Sequence, residues 1–205
     1  MTSRTDSTSR YCFYFPILHG SADLGNVASK LKKEEMDAVA RQRYFSGIDG
    51  MWIDIEKAIL SLNLDYARTH VYQDGLPICG WEVEIVDELA GAGSRNHRLL
   101  QVLKDRGATL MGTESPELLV AEYQLTMQIF GADSSGSGQA EAQRTRAADL
   151  LEQRDRFIAR RIDDTLPAGY ACLLFIGALH HVALFLPADI TVIYPIGIPP
   201  TGGLQ

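Results

Sequence analysis

The stretch "YCFYFPILHG", Tyr11 to Gly20, indicates the class of fold to which this chain belongs. Its first eight residues form a nearly continuous apolar run that is rich in aromatic side chains. Such a run is typical of a strand that is buried on both faces. The run stops at His19, and a second phrase, "YACLLFIGALHH" from Tyr170 to His181, repeats the order of a buried strand followed by histidine. The two phrases therefore predict two interior strands with the same kind of polar side chain at their ends.

Helical segments alternate with strands along the rest of the chain. Three further strands are predicted in "THVYQDGLP" (69–77), "ATLMGTES" (108–115) and "ITVIYPIG" (190–197). Helices are predicted over 26–64, with a break at "SGIDG" (46–50), and then over 83–89, 96–105, 116–130 and 140–165. This alternation is typical of an α/β fold, so we expect a mostly parallel central sheet of about five strands flanked by helices.

The composition predicts one domain with a sizeable core. The 205 residues are 46% hydrophobic and 22% charged, as in ordinary globular proteins. Residues 1–10 are polar and rich in serine and threonine, which predicts a disordered amino-terminal tail followed by a single α/β domain over 11–205. The Gly- and Ser-rich stretch 131–139 is predicted to be a flexible surface loop. A phosphate-binding loop is disfavoured there because no Lys-Ser/Thr pair follows it.

Charge and hydropathy narrow the classes of partner. The formal net charge of −7 provides no basic field for a phosphate backbone, so nucleic acid is not expected as a partner. No segment approaches the ~18 consecutive apolar residues of a membrane-spanning helix, and no apolar stretch follows the amino terminus as in a secretory signal. The three cysteines form no C-x-x-C pair, which argues against a disulfide framework. We therefore expect a cytoplasmic protein without a membrane partner, and a homo-oligomer is compatible with this composition.

Polar side chains follow each of the first four predicted strands. They are His19 and Asp23 after the first strand, Asp74 after the second, Thr113 and Glu114 after the third, and His180 and His181 after the fourth. In parallel sheets, ligands bind beyond the carboxyl ends of the strands, where the loops converge and helices present their amino termini. The sequence therefore predicts a crevice for a small-molecule ligand at this edge of the sheet.

Two kinds of chemistry suit these residues. Two imidazoles and a carboxylate, from His19, Asp23 and His180, could hold a divalent metal such as zinc, manganese or iron with an open position for water. Without a metal, one histidine could act as general base while a carboxylate orients it. The candidate catalytic residues are His19, Asp74, Glu114 and His180.

The same residues also have structural interpretations. A single histidine at a strand end often serves only as a hydrogen-bonded structural residue. Asp74 with the following glycine is a turn dipeptide, and Glu114 could support the start of the helix at Pro116, where a negative charge is favoured. Of the two adjacent histidines, His180 is preferred over His181 because it occupies the place that corresponds to the first-strand histidine.

Three further features are weaker candidates. His70 begins a strand and so belongs to the opposite edge of the sheet, and His97 opens a helix that we expect at the surface. The stretch "RDRFIARRI" (154–162) is expected to be a solvated helix face with an apolar stripe. Its end lies one short loop before the fourth strand, so one of its arginines could reach the crevice.

The layout of the motifs resembles a known superfamily. "PILHG" after the first strand, "GTE" after an internal strand and the helix "RDRFIARRIDDTL" leading into "LLFIGALHH" are similar to the superfamily of the erythromycin esterases, the ChaN haem-binding lipoproteins and the TraB/PrgY proteins. Its members share an α/β fold with a histidine after the first strand and another after a late strand. The resemblance implies that His19 is the histidine after the first strand and His180 the histidine after the late strand. It also implies that Asp74 and Glu114 are the acidic residues of the site. Pro16 stands where the superfamily's Gly-x-x-His motif has glycine, so the location of the site is carried over, but haem binding and macrolide ester hydrolysis are not.

Three functions are compatible with this pattern. The leading expectation is a hydrolase-like protein whose His/carboxylate crevice activates water, either with a divalent metal or with histidine as general base. The alternative is a non-catalytic sensor or binding module that holds a small ligand in the same crevice. A third option is an interaction protein in which the histidines only form hydrogen bonds with groups at the strand ends.

Overall fold

The computed structural model describes residues 8–18, 38–131 and 137–197. Within these ranges the chain forms a five-stranded sheet and five α-helices. The strands are β1 (Arg10–Ile17), β2 (Thr69–Gln73), β3 (Thr109–Met111), β4 (Ala171–Gly177) and β5 (Ile190–Ile193). The helices are α1 (Ala38–Ser61), α2 (Glu82–Gly91), α3 (Arg95–Asp105), α4 (Pro116–Gly131) and α5 (Ser137–Thr165).

The strands pair in parallel in the order β3-β2-β4-β1-β5. The chain moves from β1 to β2 and β3, then reverses, so that β4 pairs with both β1 and β2 and β5 lies at the opposite edge. This confirms the predicted α/β fold with a parallel sheet. The order also brings the carboxyl ends of β1, β4 and β2 side by side.

Alternate residues of the central strands face opposite sides of the sheet. On one side, the rings of Phe15 and Phe175 stack with their centroids 5.3 Å apart and pack with Trp52 of α1. On the other side, Leu174 of β4 belongs to a cluster with Ile158 of α5. Burial on both faces explains why β1 and β4 are continuous apolar runs rather than alternating ones.

The break predicted at 46–50 is wrong, because α1 runs without interruption from Ala38 to Ser61. Four buried residues on α1 are spaced by four, three and four positions: Ile48, Trp52, Ile55 and Ile59. A glycine inside a helix costs about 0.5–1 kcal/mol relative to alanine, whereas burial of a large apolar side chain contributes about 1.5–3 kcal/mol. The buried face therefore outweighs the two glycines of this stretch.

Two element boundaries also differ from the predictions. Arg10, assigned to the tail, is the first residue of β1, where it pairs with Ile190 and its guanidinium lies 2.7 Å from both Asp163 and Asp189. Of the stretch 131–139, predicted as a loop, residue 131 belongs to α4 and residues 137–139 belong to α5. Residues 1–7, 19–37, 132–136 and 198–205 lie outside the described residues.

The described helices are amphipathic. The longest, α5, buries Ile158 and Ile162 but exposes Arg156 and Arg160. Across the ranges that the structure describes, no helix combines the length and the apolar character needed to cross a membrane.

Candidate functional site

A cavity of about 730 Å³ lies beyond the carboxyl ends of β1, β2 and β4. The strand ends that line it contribute Ile17, Leu18, Gln73, Asp74 and residues 177–180. Its other walls come from α2, the start of α3, α4 and α5. This volume falls within the range of about 300–1,000 Å³ that is typical of small-molecule sites. The cavity lies at the sheet edge where polar strand ends had been expected to converge.

A tight turn after β4 holds His180 at the cavity wall. Its amide donates to the Gly177 carbonyl at 2.9 Å, and the Tyr14 hydroxyl donates to the His180 carbonyl at 3.2 Å. The next amide, of His181, donates to Asp155 Oδ2 at 2.8 Å. These bonds fix the peptide units on both sides of His180. Its side chain is 5% exposed and lines the cavity, whereas His181 is exposed.

Asp155 of α5 orients the His180 imidazole. Its Oδ1 lies 2.5 Å from His180 Nδ1, and the two side chains are only 3% and 5% exposed. Because an ionised carboxylate can only accept, Nδ1 carries the proton in this contact. The other ring nitrogen, Nε2, lies 3.7 Å from Asp74 Oδ2, which is too far for a direct hydrogen bond. Nε2 is therefore the imidazole nitrogen that can exchange a proton with a ligand.

The surroundings of His180 raise its pKa above the ordinary value. Burial by itself would lower the pKa by disfavouring the charged ring. The hydrogen bond to Asp155 and the negative charge of Asp74 outweigh that effect, although Arg154 opposes them. These surroundings favour the imidazolium form more than those of an unperturbed histidine do, and the ring can donate a proton as well as accept one.

Arg154 of α5 binds the carboxylates that follow β2 and β3. Its Nη2 lies 2.8 Å from Asp74 Oδ1 and 2.6 Å from Glu114 Oε1, and its Nε lies 2.7 Å from Glu114 Oε2. The contact with Glu114 is therefore bidentate, the strongest geometry for such a pair. Nη1 binds Glu122 of α4 at 2.5 Å. Arg154, Asp74 and Glu114 are each at most 5% exposed, while Glu122 is 44% exposed.

Backbone amides complete this network. Gly177 donates to Asp74 Oδ2 at 2.8 Å, so the carboxylate joins the ends of β2 and β4. Gly75, whose φ of 75° suits glycine, donates to Glu114 Oε1 at 2.8 Å. The Asp-Gly pair thus forms a turn and also contributes to the buried cluster. Ser115 rather than Glu114 caps α4, since its Oγ accepts from the Leu118 amide at 3.2 Å.

The cluster is electrostatically unusual. Burial and the nearby Asp74 carboxylate raise the pKa of Glu114 despite the contact with Arg154. Burial alone would lower the pKa of Arg154, but the carboxylates of Glu114, Asp74 and Glu122 outweigh it and raise the pKa. Four carboxylates, including Asp155, surround one arginine and one histidine. The local charge is therefore negative on balance when the carboxylates are ionised, which favours neutral or cationic ligands over anions.

Two of the three predicted metal ligands, His19 and Asp23, lie outside the described residues. Among the residues that are described, no group of three or more His, Cys, Asp or Glu side chains is arranged to hold a metal ion. Asp74 and Glu114 also face the cationic Arg154, which opposes a divalent cation. The described residues do not by themselves fit a metal, so the set with His180 stays a prediction.

Sequence reasoning anticipated only part of the role of α5. Arg154 and Asp155 were expected on a solvated face, with the option that an arginine of this helix reaches the crevice. Both residues are buried, and Arg154 lines the cavity. Arg154 lies four residues after Leu150 and four before Ile158, and these two neighbours are buried. Charged residues in register with an apolar stripe were the available signal, because a helix places positions i and i+4 on the same face.

The walls of the cavity include further polar residues outside the predicted set. His97 itself is buried, although its helix has an exposed face as expected, and its Nδ1 lies 2.7 Å from Ser94 Oγ at the start of α3. Gln73 and Asn96 also line the cavity. Thr113, by contrast, is structural: its Oγ accepts from the Gln73 amide at 2.9 Å.

Comparison with known proteins found no match. Models of protein families, curated protein sequences and solved structures all gave no significant similarity to this chain. The resemblance to the erythromycin esterase superfamily therefore stays a prediction from short motifs, and the functional argument depends on the geometry of the site.

Proposed function

We propose that this protein is a hydrolase-like enzyme that acts on a small molecule in the cavity, with His180 and Asp155 as its acid–base pair. The observation that carries this proposal is the 2.5 Å contact between His180 Nδ1 and Asp155 Oδ1 at the cavity wall. Acid–base catalysis requires an imidazole with a defined tautomer within reach of the substrate. The hydrogen bond to Asp155 fixes the tautomer of the His180 imidazole, and the turn after β4 fixes its position at the cavity wall.

The proposed chemistry uses Nε2 of His180. With Nδ1 protonated and bonded to Asp155, neutral His180 removes a proton from water at Nε2 while the water oxygen attacks the electrophilic carbon of the substrate. The resulting imidazolium is stabilised by Asp155 and by Asp74, whose Oδ2 is 3.7 Å from Nε2. The proton then passes from Nε2 to the leaving group, which restores the neutral ring. Since the pKa of His180 is raised, the neutral base form becomes abundant only at a higher pH than it does for an unperturbed histidine.

Arg154, Asp74 and Glu114 act as positioning residues in this proposal. Their mutual contacts tie α5, which carries Asp155, to the ends of β2 and β3. The distance between Asp155 and His180 therefore depends on this buried network. The motif resemblance is consistent with the proposal, since it implies a histidine at position 180 and acidic residues at 74 and 114.

A binding module is the second candidate. The observation that favours it is that Arg154 engages both Asp74 and Glu114, which leaves these carboxylates committed to structural contacts. A cavity whose buried carboxylates are already paired with a cation suits ligand recognition without turnover. The two candidates differ in whether His180 exchanges protons with the ligand.

The test compares hydrolysis by the parent protein and by His180→Gln, Asp155→Asn and His181→Gln variants. The probes are p-nitrophenyl acetate and p-nitrophenyl butyrate, as neutral esters. Loss of an acid–base group lowers rates by about 10²–10⁴-fold, so we expect kcat/KM to fall by at least about 100-fold in His180→Gln. The exposed neighbour His181 is the matched control, and its variant should stay within about twofold of the parent, since a twofold change is only about 0.4 kcal/mol.

Equal activity of the His180→Gln and His181→Gln variants would disprove the proposed role. Dialysis against a chelator, followed by addition of Zn²⁺, Mn²⁺ or Fe²⁺, tests the metal-dependent form predicted with His19 and Asp23. Activity that is lost on dialysis and restored by one metal would support it. Saturable ligand binding without turnover by the parent protein would favour the binding module.

A further inference from the structure

A second cavity, of about 660 Å³, lies between α1 and α3 and is called here the α1–α3 groove. Its volume also falls within the range of about 300–1,000 Å³ that is typical of small-molecule sites. Helix α3 separates it from the cavity that holds His180, since Asn96 and His97 line that cavity. The residues that define the groove are Ile59 and Leu60 of α1, with Arg98, Leu99, Val102 and Arg106 of α3 and its carboxyl end.

Much of the groove is apolar. Ile59, Leu99 and Leu103 in its lining belong to the hydrophobic core, so its inner wall is well packed. The accessible apolar surface comes from Leu60 and Val102, which are 65% and 46% exposed. Removal of such surface from water is favourable in proportion to the area covered. The groove therefore suits a ligand with an apolar body.

The charged side chains of the groove are mostly cationic. Arg98, Val102 and Arg106 are spaced by four positions, which places an arginine on each side of the apolar surface. Both arginines are exposed, and within the described ranges neither forms an ion pair with a carboxylate. A third arginine, Arg95, is paired with Glu56 at 3.0 Å. Three arginines and one glutamate thus line the groove, which is positive although the chain has a formal net charge of −7.

The two exposed arginines differ in their contacts. Nη2 of Arg98 donates to the Gly93 carbonyl at 2.8 Å, and Gly93 also lines the groove. This bond holds the guanidinium at the groove wall and uses one of its five N–H donors. Arg106 instead donates to the Tyr66 hydroxyl at 3.0 Å, and its guanidinium lies over the Tyr66 ring. An anionic group is therefore best placed at Arg98, where the positive end of the α3 dipole adds to the attraction.

We propose that the α1–α3 groove binds a linear small molecule with one anionic head and an apolar tail. The head lies at Arg98, and the tail lies against Leu60 and Val102. Residues 98 and 106 are separated by about 12 Å along the helix axis, which matches an extended chain of about ten carbons. Fatty carboxylates and alkyl phosphates share this chemistry. The proposal goes beyond the hydrolytic function, since the groove residues have no part in it.

The test measures binding of matched amphiphiles to the full chain by isothermal titration calorimetry at pH 7.5, below the concentrations at which they form micelles. Decanoate and decyl phosphate are the anions, decyltrimethylammonium is a cation with the same chain, and hexanoate is a shorter anion. Non-specific attraction to an acidic protein would favour the cation. We expect decanoate to bind at least tenfold more tightly than the cation. It should also bind at least tenfold more tightly than hexanoate, because each fully buried CH₂ contributes about fourfold. The tighter of the two ten-carbon anions identifies the preferred head group.

Variants at exposed positions locate the site. Arg98→Gln should weaken decanoate binding at least tenfold, whereas Arg98→Lys should retain most of it. The matched control is Lys104→Gln, which removes one positive charge from the same helix outside the groove lining and should stay within about twofold of the parent. Leu60→Ser should weaken binding at least fivefold. Its control is Leu184→Ser, since Leu184 is 76% exposed and lies outside the groove.

Tighter binding of the cationic amphiphile than of decanoate would overturn the proposal. Absence of saturable binding of both ten-carbon anions, or equal effects of Arg98→Gln and Lys104→Gln, would also overturn it. Should Arg98→Gln fail to fold, Leu60→Ser and the comparison of probes on the parent protein still decide the question. Decanoate affinity should be unchanged in His180→Gln. Hydrolysis without decanoate binding would refute only the groove, and decanoate binding without hydrolysis would refute only the proposed function.

Discussion

Replacement of Arg154 by methionine should destabilise the protein strongly. Arg154 is the cation shared by Asp74 and Glu114, which are 5% and 1% exposed. Methionine retains much of the length and apolar volume of the side chain but removes the charge and its hydrogen bonds. Two carboxylates would then stay buried beside each other without a counterion. The ionised form of each would therefore be unfavourable.

The expected magnitude follows from the burial of these groups. Removal of one partner from a buried ion pair costs about 3–5 kcal/mol, because an uncompensated charge is left behind. The contact with the half-exposed Glu122 adds little, since such pairs contribute about 0–1 kcal/mol. With an m-value of about 2–3 kcal/mol per molar urea, the midpoint of unfolding should fall by about 1–2.5 M.

Urea unfolding at pH 7, followed by circular dichroism, measures this loss. The matched control is Arg156→Met on the same helix, because Arg156 is 58% exposed and pairs with Glu152 at the surface. That variant should lose less than about 1 kcal/mol. The triple variant with Asp74→Asn and Glu114→Gln should be more stable than Arg154→Met alone, because no unpaired charge stays buried. If Arg154→Met and Arg156→Met lose the same small amount, the buried network does not have the role assigned to it.

Three further predictions concern stability. His180→Gln should cost more stability at pH 5.5 than at pH 9. Because the folded-state pKa of His180 is raised, its stabilising contribution is fully present below the unfolded pKa of about 6.5 and disappears as the pH rises through the folded value. A difference in urea unfolding between parent and variant that does not change with pH would contradict this. Asn96→Leu should increase the free energy of unfolding by about 1 kcal/mol or more, since it removes an orphaned buried amide, and calorimetry that shows a loss of several kcal/mol would refute the assignment of that amide. Gly50→Ala should stabilise α1 by about 0.5–1 kcal/mol because an added Cβ meets open space there, whereas destabilisation in thermal unfolding would argue for a break in the helix.

The strands were predictable because their burial in the sheet determines the local amino-acid composition. β1 and β4 are buried on both faces, so each appears as an apolar run of the length of one strand. The continuity of α1 was not predictable from local signals. Its glycines disfavour a helix locally, and only the burial of Ile48 and Trp52 against the sheet compensates for this. That burial depends on tertiary packing.

The residues of the site also divide into those that local sequence predicts and those that depend on tertiary packing. Asp74, Glu114 and His180 each follow a strand, and the parallel topology brings strand ends together, so their location could be predicted. Arg154 and Asp155 come from a helix, and Arg154 lies 80 positions from Asp74 in the chain. Their contacts depend on how α5 crosses the sheet, which no local pattern specifies. Their spacing within the apolar stripe identifies them as buried but not as parts of the site.

The central claim is that Asp155 and Asp74 hold His180 as the acid–base group of the cavity. The most direct measurement is the pKa of His180, obtained by NMR titration of histidine-labelled protein, with the His180→Gln variant used to assign the resonance. We predict a pKa above the ordinary value of about 6.5 in the parent protein and a clear decrease in Asp155→Asn, where the charged acceptor is gone. A pKa at or below about 6.5, or one that is unchanged in Asp155→Asn, would contradict the account.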